Sequence, residues 1–422
     1  MNDQAKVLPG TPAAADTPGA RGEGEMRRGS ARPPAVPKAA AAQRFEVRIV
    51  SAWQQLAALG KEWDDLAADA EEPAPSCERW MLVPALREGI PGRDVRVALV
   101  YASGFDGEAA GAAPVLCGVA PLETGARHRG LRVVALWNHM YAVSAAPLVR
   151  RGCGARVIAA LLRWIVAECP AHTLFHVPEV RVTGAFYAAL REHVVAGRVE
   201  HMFIDLWARA QFHPRADAER YLQGVGTGHH RHEWRRQARR LADLGTLAYT
   251  SLDDARDVAR WTDDFVALEM RGWKGREGTA FGADARHRAW LDEVVAQAFT
   301  RGRLMMLSLT LDGRPIAMKL NLLSPPGAYA FKIAYDETLV KYSPGALLEL
   351  DNIQRLHAMP QIEWMDSLAA PNHSLMERVW VDRTAMASLL VAPGPAAGRL
   401  LLAGVPLLRA IKRSLRPGNT AA

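Results

Sequence analysis

Two aspartates and a histidine in the last third of the sequence are the residues best suited to moving a proton. Asp336 closes one apolar run (AYAFKIAY), Asp366 closes another (QIEWMD), and His373 follows shortly after. A positioned carboxylate can accept a proton from an attacking group, and a histidine can return one to a leaving group. We predict that Asp336 and Asp366 lie at one edge of a sheet, with His373 as the returning acid. The alternatives are a turn-forming role for Asp336 and a capping role for Asp366.

Between the two aspartates lies a segment whose residue types fit an anion. In KYSPGAL (341–347), Ser343 suits the N-cap of a helix and Pro344 suits the first helical position, which needs no N–H donor. Free N–H groups at a helix start attract phosphate, and Gly345 has no side chain to obstruct one. The alternative is a well-capped helix without a ligand. The predicted phosphate-binding residues are Lys341, Tyr342, Ser343, Gly345, Ala346 and Leu347.

These residues are positioned by a run of predicted strands and one helix. Asp312-Gly313 separates two alternating apolar runs, the strongest short signal for a hairpin, because both turn residues need positive φ. A second turn is predicted at 324–327 (SPPG). The predicted strands are 303–311, 314–322, 328–335 and 361–366, and the helix runs from Pro344 to about Ala358.

The first half of the chain shows the same order of elements, with little residue identity. This repeat predicts an α/β fold of two tandem related domains, each with a mixed, mostly antiparallel sheet flanked by helices. We predict domains at 45–215 and 216–390, between tails at 1–44 and 391–422. The first-half strands are predicted at 95–101, 115–122, 131–137, 173–177 and 199–206, and the helices at 56–66, 80–87, 155–167 and 184–194.

The first domain has its own glycine-rich turn, RRGCGA (150–155), at a predicted helix start. Gly152 and Gly154, with two arginines beside them, make this turn a rival phosphate site. The alternative is an ordinary helix start that is rich in glycine. The sequence alone therefore leaves open which half holds an anion.

Composition narrows the function classes. The chain has 422 residues, 49% of them hydrophobic, and a net charge of +7, which favours anionic partners. Its four cysteines form no CxxC pair and no zinc spacing, so we predict buried reduced thiols and no metal. No uninterrupted apolar run reaches 18 residues, and the N-terminal segment lacks the apolar core of a secretory signal. We predict a cytoplasmic protein whose apolar segment at 385–411 is a docking or frayed tail, with at most peripheral membrane contact.

A basic segment, 229–245 (HHRHEWRRQARRLADLG), lies between the halves. Trp234, Ala238 and Leu241 recur at helical spacing and predict an apolar stripe on a basic helix that Gly245 ends. Its five arginines suit RNA, phospholipid or cofactor phosphates, or a solvated face against an acidic neighbour. Because no aromatic residues alternate with the arginines for base stacking, we do not expect nucleic acid as the partner.

Four segments together resemble one family: 231–245 (RHEWRRQARRLADLG), 268–280 (LEMRGWKGREGTA), 332–337 (KIAYDE) and 342–345 (YSPG). In this order they are similar to the CelD-type, cellulose-biosynthesis-associated members of the GNAT superfamily of acyltransferases. That group is similar in turn to the Fem-type peptidyltransferases, which carry two GNAT-like domains. The resemblance covers about 220–385; the first half resembles the family in element order only.

The resemblance implies transfer from acetyl-CoA or another acyl-CoA to an amine or hydroxyl, on a sugar or an envelope or exopolysaccharide precursor. It also implies that the helix start at Gly345 cradles the coenzyme A pyrophosphate. A tryptophan beside an ammonium suits a sugar or an anionic acceptor, and Gly272 and Gly275 indicate a loop that presents the pair; a buried Trp273 is the alternative. The matching acceptor-binding residues are Glu269, Trp273, Lys274 and Lys332.

Three functions remain open on the sequence. The first is an acyl-CoA-dependent N- or O-acyltransferase. The second is Fem-like transfer from charged tRNA, which the basic helix and double domain favour and the absence of a long heptad run disfavours. The third is a non-catalytic partner of a polysaccharide synthase. The acceptor, the acyl-chain length and the oligomeric state do not follow from the residues.

Overall fold

The structure is a computed structural model, and it describes residues 44–104, 113–169, 174–197, 199–371, 373–394, 398, 400 and 402. The predicted N-terminal tail lies outside the described residues except for Arg44, and so do the C-terminal residues from 403 onward. The two predicted domains, 45–215 and 216–390, therefore lie almost wholly within the described residues, whereas the two predicted tails lie mostly outside them.

Among the described residues, thirteen strands form one continuous sheet, and β4 and β5 form a separate two-stranded ribbon. The sheet order is β1-β2-β3-β6-β8-β15-β9-β14-β13-β12-β11-β10, with β7 paired to β3. The strands are β1 (Arg44–Val50), β2 (Val95–Ser103), β3 (Val115–Glu123), β4 (Arg127–His128), β5 (Leu131–Arg132), β6 (Val134–Leu136), β7 (Leu148–Val149), β8 (Phe175–Arg181), β9 (Glu200–Phe212), β10 (Leu247–Ser251), β11 (Leu304–Leu311), β12 (Arg314–Ser324), β13 (Gly327–Tyr335), β14 (Trp364–Asp366) and β15 (Asp382–Ala392).

Each half of the sheet repeats one pattern. In the first half, β1, β2, β3 and β6 are antiparallel, β8 is parallel to β6, and β15 is antiparallel to β8. In the second half, β10 to β13 are antiparallel, β14 is parallel to β13, and β9 is antiparallel to β14. The predicted α/β fold of two related halves with mixed sheets is therefore confirmed.

Helices cover both faces of the sheet. One core on one face joins the two halves, and it contains Trp63 and Trp80 from the first half with Phe265 and Trp290 from the second. The helices are α1 (Trp53–Ala57), α2 (Gly60–Ala68), α3 (Arg79–Arg87), α4 (Gly154–Glu168), α5 (Ala185–Ala196), α6 (Ala218–Gly224), α7 (Gly228–Ala242), α8 (Val258–Arg271), α9 (Trp273–Arg276), α10 (Ala285–Thr300), α11 (Pro344–His357) and α12 (Met376–Val379).

Local sequence signals explain several of these elements. Asp312 and Gly313 have φ of 49° and 77°, as a tight turn between β11 and β12 requires. In α7, Trp234 and Leu241 are buried and the neighbouring arginines face outward, which confirms the amphipathic basic helix. The four cysteines are buried, as predicted, and among the described residues no disulfide joins them.

The sequence interpretation missed the centre of the sheet. Residues 385–392, predicted as the start of a docking or frayed tail, belong to β15, which pairs with β8 on one side and β9 on the other. An apolar run followed by glycine and proline does not distinguish a central strand from a tail, because only tertiary pairing decides between them. The predicted tail beyond 402 lies outside the described residues.

Three further corrections concern single elements. The predicted strand 131–137 is split into β5 and β6, and the chain then leaves the sheet in a loop at 137–147 before it returns as β7. The predicted helix 56–66 is two helices, α1 and α2, with Gly60 at a φ of 43°. The predicted strand 361–366 is reduced to the three residues of β14. Among the described residues, no helix is both long and apolar enough to cross a membrane.

Candidate functional site

A gap opens between the parallel strands β13 and β14. Their last register pair is Tyr329 with Asp366, whereas β13 continues to Tyr335. The chain from β14 turns away after Asp366, with Leu368 at a φ of 53°. The second half of β13 therefore has β12 on one side and no hydrogen-bonded strand among the described residues on the other. A strand side without a partner strand can bind an extended ligand.

Asp366 lies at the closed end of this gap, in a buried cluster of charges. The Arg209 guanidinium is 3.0 Å from Glu179 Oε1 and 3.6 Å from Asp366 Oδ2, and the Leu368 N–H donates to Asp366 Oδ1 at 2.8 Å. Burial raises the pKa of the Asp366 carboxyl, and Arg209 lowers it by a smaller amount. A buried carboxyl with a raised pKa is a better proton acceptor near neutral pH than an ordinary aspartate.

A narrow cleft borders this cluster, and both halves of the chain supply its walls. Tyr329 and Trp364 come from the second half, and their rings meet edge to face. The Arg181 guanidinium stacks over Trp364 at 4.0 Å. The first-half residues that line the cleft are Glu72, Pro73, Val143, Ser144, Ala146, Glu179, Val180 and Arg181.

Glu72 has a structural task at this cleft. Its carboxylate accepts the N–H groups of Ala185 and Phe186 at the start of α5, and it lies 3.4 Å from Arg181. Both oxygens are therefore engaged within the first half. This leaves Glu179 and Asp366, joined through Arg209, as the carboxylates of the cleft that do not cap a helix.

The prediction that Asp336 and Asp366 share one edge of the sheet is wrong. Asp366 pairs with Tyr329 near the start of β13, and Asp336 follows the end of that strand. At about 3.3 Å per residue they are roughly 20 Å apart along the strand. The two aspartates are separated because β14 has only three residues and pairs with the beginning of β13. The alternation of side chains along a strand does not reveal which residues of two strands pair.

Asp336 is held as a cap of the short 3-10 helix Glu337–Tyr342. Its Oδ1 accepts the Thr338 N–H at 3.0 Å and the Thr338 hydroxyl at 2.6 Å. Partial burial raises the pKa of this carboxyl, but the Thr338 hydrogen bonds and Arg314 outweigh that effect and lower it overall. A carboxylate with a lowered pKa is a weak base, so the geometry favours the turn-forming alternative. His373 is exposed, and its Nδ1 accepts the Met376 N–H at 3.4 Å.

The start of α11 differs from the predicted N-cap. Ser343 has a φ of 52°, and its side chain makes no capping hydrogen bond. The N–H groups of Ala346 and Leu347 both donate to the Ser343 carbonyl, at 2.9 and 3.1 Å. The prediction that the Ser343 hydroxyl caps the helix and leaves these amides free is therefore wrong. Within the described residues, Gly345 alone of 345–347 has an N–H without a partner.

The surroundings of that helix start are positively charged. Lys341 is exposed, and its ammonium lies 5.0 Å from the centre of the buried Tyr342 ring. Arg240 of α7 lies 5.8 Å from the same ring. The groups near this helix start that can contact a phosphate are the Gly345 amide, the Ser343 hydroxyl and two cations, a smaller donor set than the sequence predicted, and Gly345 itself is buried.

The rival turn in the first half is occupied by acidic side chains. Glu71 accepts the N–H of Gly152 at 2.8 Å, and Asp69 lies 2.9 Å from Arg150. A Cβ at Gly154 would lie 2.8 Å from the Cβ of Ala189, so this glycine permits close packing of α4 on α5. The geometry favours the alternative of an ordinary glycine-rich helix start.

The predicted acceptor residues are partly brought together on β13. Glu269 is buried, and its two oxygens accept from Lys274 Nζ at 2.9 Å and the Phe281 N–H at 2.9 Å. Lys274 also donates to the Ile333 carbonyl at 3.1 Å, in the part of β13 beyond β14. Trp273 starts α9 and is 46% exposed, so it is presented at the surface and is not packed in the core. Their acceptor-binding roles stay predictions.

Sequence reasoning missed Glu179, Arg181 and Arg209. Each lies in a strand, and Arg209 is 5% exposed. A charged residue inside an otherwise apolar strand is a signal for a buried partner, because an unpaired buried charge is costly. That signal is visible in HVPEVR (176–181), but it does not say which strand brings the partner. In the part of the chain that the structure describes, no group of three or more His, Cys, Asp or Glu side chains is placed to hold a metal ion.

Part of the second half of the chain matches a known protein family. Residues 228–373 match the sequence profile of the acetyltransferase (GNAT) domain, so the second half carries an acyltransferase-type domain, as the sequence predicted. A comparison with curated protein sequences finds no match.

Solved structures with a similar chain path include FemX, at 10% identity and a TM-score of 0.49, covering 82% of this chain and 97% of that one. A tandem GNAT protein from the clavulanic acid biosynthesis pathway has 14% identity, a TM-score of 0.40 and coverages of 84% and 99%. A conserved protein of unknown function from Bacteroides thetaiotaomicron has 13% identity, a TM-score of 0.48 and coverages of 78% and 96%. At TM-scores below 0.5 these likenesses support no further conclusion.

Proposed function

We propose that the chain is an acyl-CoA-dependent N- or O-acyltransferase in which Asp366 accepts the proton of the attacking group. The observation that carries the proposal is the buried Asp366 carboxyl, with its raised pKa, at the closed end of the β13–β14 gap. In such a transfer the acceptor nitrogen or oxygen bonds to the acyl carbon and the C–S bond of the thioester breaks. The acceptor loses one proton to Asp366, and the departing thiolate gains one from solvent.

The second half would hold the donor. Acyl-CoA supplies the activated acyl carbon and a pyrophosphate, and the Gly345 N–H, the Ser343 hydroxyl and the Lys341 ammonium are the groups that fit the pyrophosphate. We do not assign a second donor to the first half, because Glu71 accepts the Gly152 N–H and Asp69 pairs with Arg150 in its turn. Its role is to wall the acceptor cleft with Ser144, Glu179 and Arg181.

The acceptor is proposed to be an amine or a sugar hydroxyl of an envelope or exopolysaccharide precursor in the cytoplasm. This finer assignment depends on the resemblance to CelD-type and Fem-type proteins. The polar walls of the cleft agree with a polar acceptor.

The test is acetyl-CoA turnover with a panel of primary amines and amino sugars, measured by the release of the coenzyme A thiol. Asp366→Asn should lower kcat by about 10² to 10⁴, the range for loss of a general base. Asp336→Asn is the matched control and should change kcat little, because that carboxylate caps a turn. Equal activity of wild type and Asp366→Asn on an acceptor that turns over would refute the assignment.

One observation favours a second candidate, aminoacyl transfer from charged tRNA. Arg235 and Arg239 on α7 are exposed, and the described residues offer neither of them an ion-pair partner. Retention of charged tRNA on a filter, lost in Arg235→Glu with Arg239→Glu, would support that reading. Retention of neither tRNA nor acyl-CoA by the folded protein would leave a non-catalytic partner role in polysaccharide synthesis.

A further inference from the structure

Lys332 occupies an unusual position for a lysine. It lies on β13 beyond the last pair with β14, and its ammonium is 5.5 Å from the ring centre of Tyr141, 5.4 Å from Phe281 and 5.9 Å from Phe331. Such contacts stabilise a cation only partly, because the rings accept no conventional hydrogen bond. Among the described residues, no hydrogen-bond acceptor or ion-pair partner reaches the Lys332 ammonium.

Tyr141, whose ring faces the Lys332 ammonium, carries a second unsatisfied group. The residue lies in the loop 137–147 of the first half and is 1% exposed. Its ring stacks on Phe281 at 4.6 Å and on Trp290 at 4.7 Å. Its hydroxyl is buried and has no hydrogen-bond partner in the described part of the chain. A buried polar group without a partner is costly, typically by about 1–3 kcal/mol, so a missing partner is expected.

The charged neighbours are already engaged with one another. The two Glu269 oxygens accept from Lys274 and from the Phe281 N–H. Asp284, the next carboxylate near Tyr141, accepts from the Arg286 side chain and N–H. His287 meets Tyr141 edge to face at 5.3 Å. The positive charge of Lys332 therefore has no carboxylate of its own. Burial and the nearby Lys274 lower the pKa of Lys332 to about 8.

We propose that Lys332 and the Tyr141 hydroxyl bind an anionic oxygen group, a carboxylate or a phosphate, carried by the acceptor. Both groups are donors, and the apolar rings beside the half-buried Lys332 make its surroundings less polar than water, which strengthens a hydrogen bond to an anion. The site is roughly 10 Å along β13 from the position that pairs with Asp366, at about 3.3 Å per residue. The acceptor would thus present its nucleophile at Asp366 and its anion at Lys332.

The proposal rests on the proposed function for the identity of the ligand, but its test needs no acyl-CoA. Acetic anhydride acylates neutral amines, so the acetylation rate of each lysine, read by peptide mass spectrometry, reports its access. The full-length protein is labelled at pH 8 with rising sodium phosphate in one arm and sodium succinate in the other. Sodium chloride keeps the ionic strength constant, and the exposed Lys61, which lies in neither proposed site, is the internal reference.

We expect phosphate or succinate to slow Lys332 acetylation at least fivefold and saturably, while Lys61 is unchanged. Tyr141→Phe keeps the stacked ring and should weaken this protection at least threefold, whereas Tyr249→Phe, at an exposed tyrosine, should not. If phosphate protects Lys332 at the lower concentration, the bound group is a phosphate; if succinate does, it is a carboxylate. Lack of protection in both arms, or equal protection in Tyr141→Phe, would overturn the proposal. The protein can bind the anion at Lys332 even if it transfers no acyl group, so the two proposals are tested independently.

Discussion

Two aspartates that look alike in sequence have opposite environments. Asp336 accepts two hydrogen bonds from Thr338 in a turn, which favour its charged form. Asp366 is 4% exposed, and burial disfavours its charge in spite of Arg209. The position of both aspartates at strand ends was sufficient to select them as candidates from the sequence. Only the groups around each carboxylate distinguish the helix cap, Asp336, from the proposed proton acceptor, Asp366.

The pH dependence of catalysis should report the Asp366 carboxyl. A base must be ionised to accept a proton, so kcat/KM should fall as the pH drops through the pKa of Asp366. Because burial raises that pKa, the acid limb should lie above the ordinary aspartate value of about 3.9. The measurement is kcat/KM from pH 4 to 8, with Asp366→Glu expected to shift the limb. An acid limb identical in wild type and Asp366→Glu would contradict the assignment.

Lys332 should give the stability of the protein a distinctive pH dependence. Its pKa is lowered from 10.5 to about 8 in the folded protein. Between these values the unfolded chain binds the proton more tightly, so folding becomes more favourable as the pH rises through this window. Relative to Lys332→Met, wild type should gain about 1–3 kcal/mol of unfolding free energy between pH 7.5 and 10.5. Urea unfolding of both proteins measures this difference, and a constant difference across the window would refute it.

At the scale of elements, α11 is fixed to the sheet by a buried ion pair. Lys319 of β12 lies 2.7 Å from Glu349 Oε2, and the two residues are 1% and 0% exposed. Glu349 Oε1 also accepts from Asn352 at 2.8 Å and Trp380 at 2.9 Å. These contacts tie the helix that bears Gly345 to β12 and to the residues just before β15.

Breaking this pair from one side should be costly. Lys319→Met or Glu349→Gln alone should each lower the free energy of unfolding by about 3–5 kcal/mol, because an uncompensated charge or donor remains buried. The double variant should cost clearly less than the sum. Lys61→Ala, in an exposed pair with Asp65, is the control and should cost below about 0.5 kcal/mol. Additive effects in urea unfolding would show that the pair is not coupled.

The elements that the sequence could predict are those with local signals. The Asp312-Gly313 hairpin, the start of α11 at Pro344 and the stripe of α7 each depend on neighbouring residues, and all three are present. β15 and the break that divides the predicted strand 131–137 into β5 and β6 depend on distant pairing, and neither was predicted. The same holds for the candidate site: Asp366 could be selected from its strand end, whereas Arg209 and Glu179 come from strands that only the fold brings beside it.

Over the whole molecule, the halves exchange strands. β15, at the C-terminal end of the second half, lies between β8 and β9 of the first, and β9 pairs with β14 of the second. The predicted boundary at 215/216 divides the chain but not the sheet. The cleft beside Asp366 exists only where the two halves meet.

The strand exchange predicts that the halves depend on each other for folding. Fragments 44–215 and 216–394 expressed separately should aggregate or remain largely unfolded, because each exposes long unpaired strand edges. Expressed together they should associate, and the full chain should unfold in a single transition. Circular dichroism and thermal unfolding provide the readout. Two fragments that fold separately with native-like stability would show that the exchanged strands are dispensable.

The central claim is that one donor site exists and that the second half holds it. It is tested most directly by calorimetric titration with acetyl-CoA of wild type, Lys341→Glu and Arg151→Glu. Lys341 and Arg151 are matched, since each is an exposed cation beside a helix start, whereas a glutamate at Gly154 would disrupt packing against Ala189. We predict saturable binding that Lys341→Glu weakens at least tenfold and Arg151→Glu leaves unchanged. Binding lost only in Arg151→Glu, or no binding by folded wild type, would contradict the account.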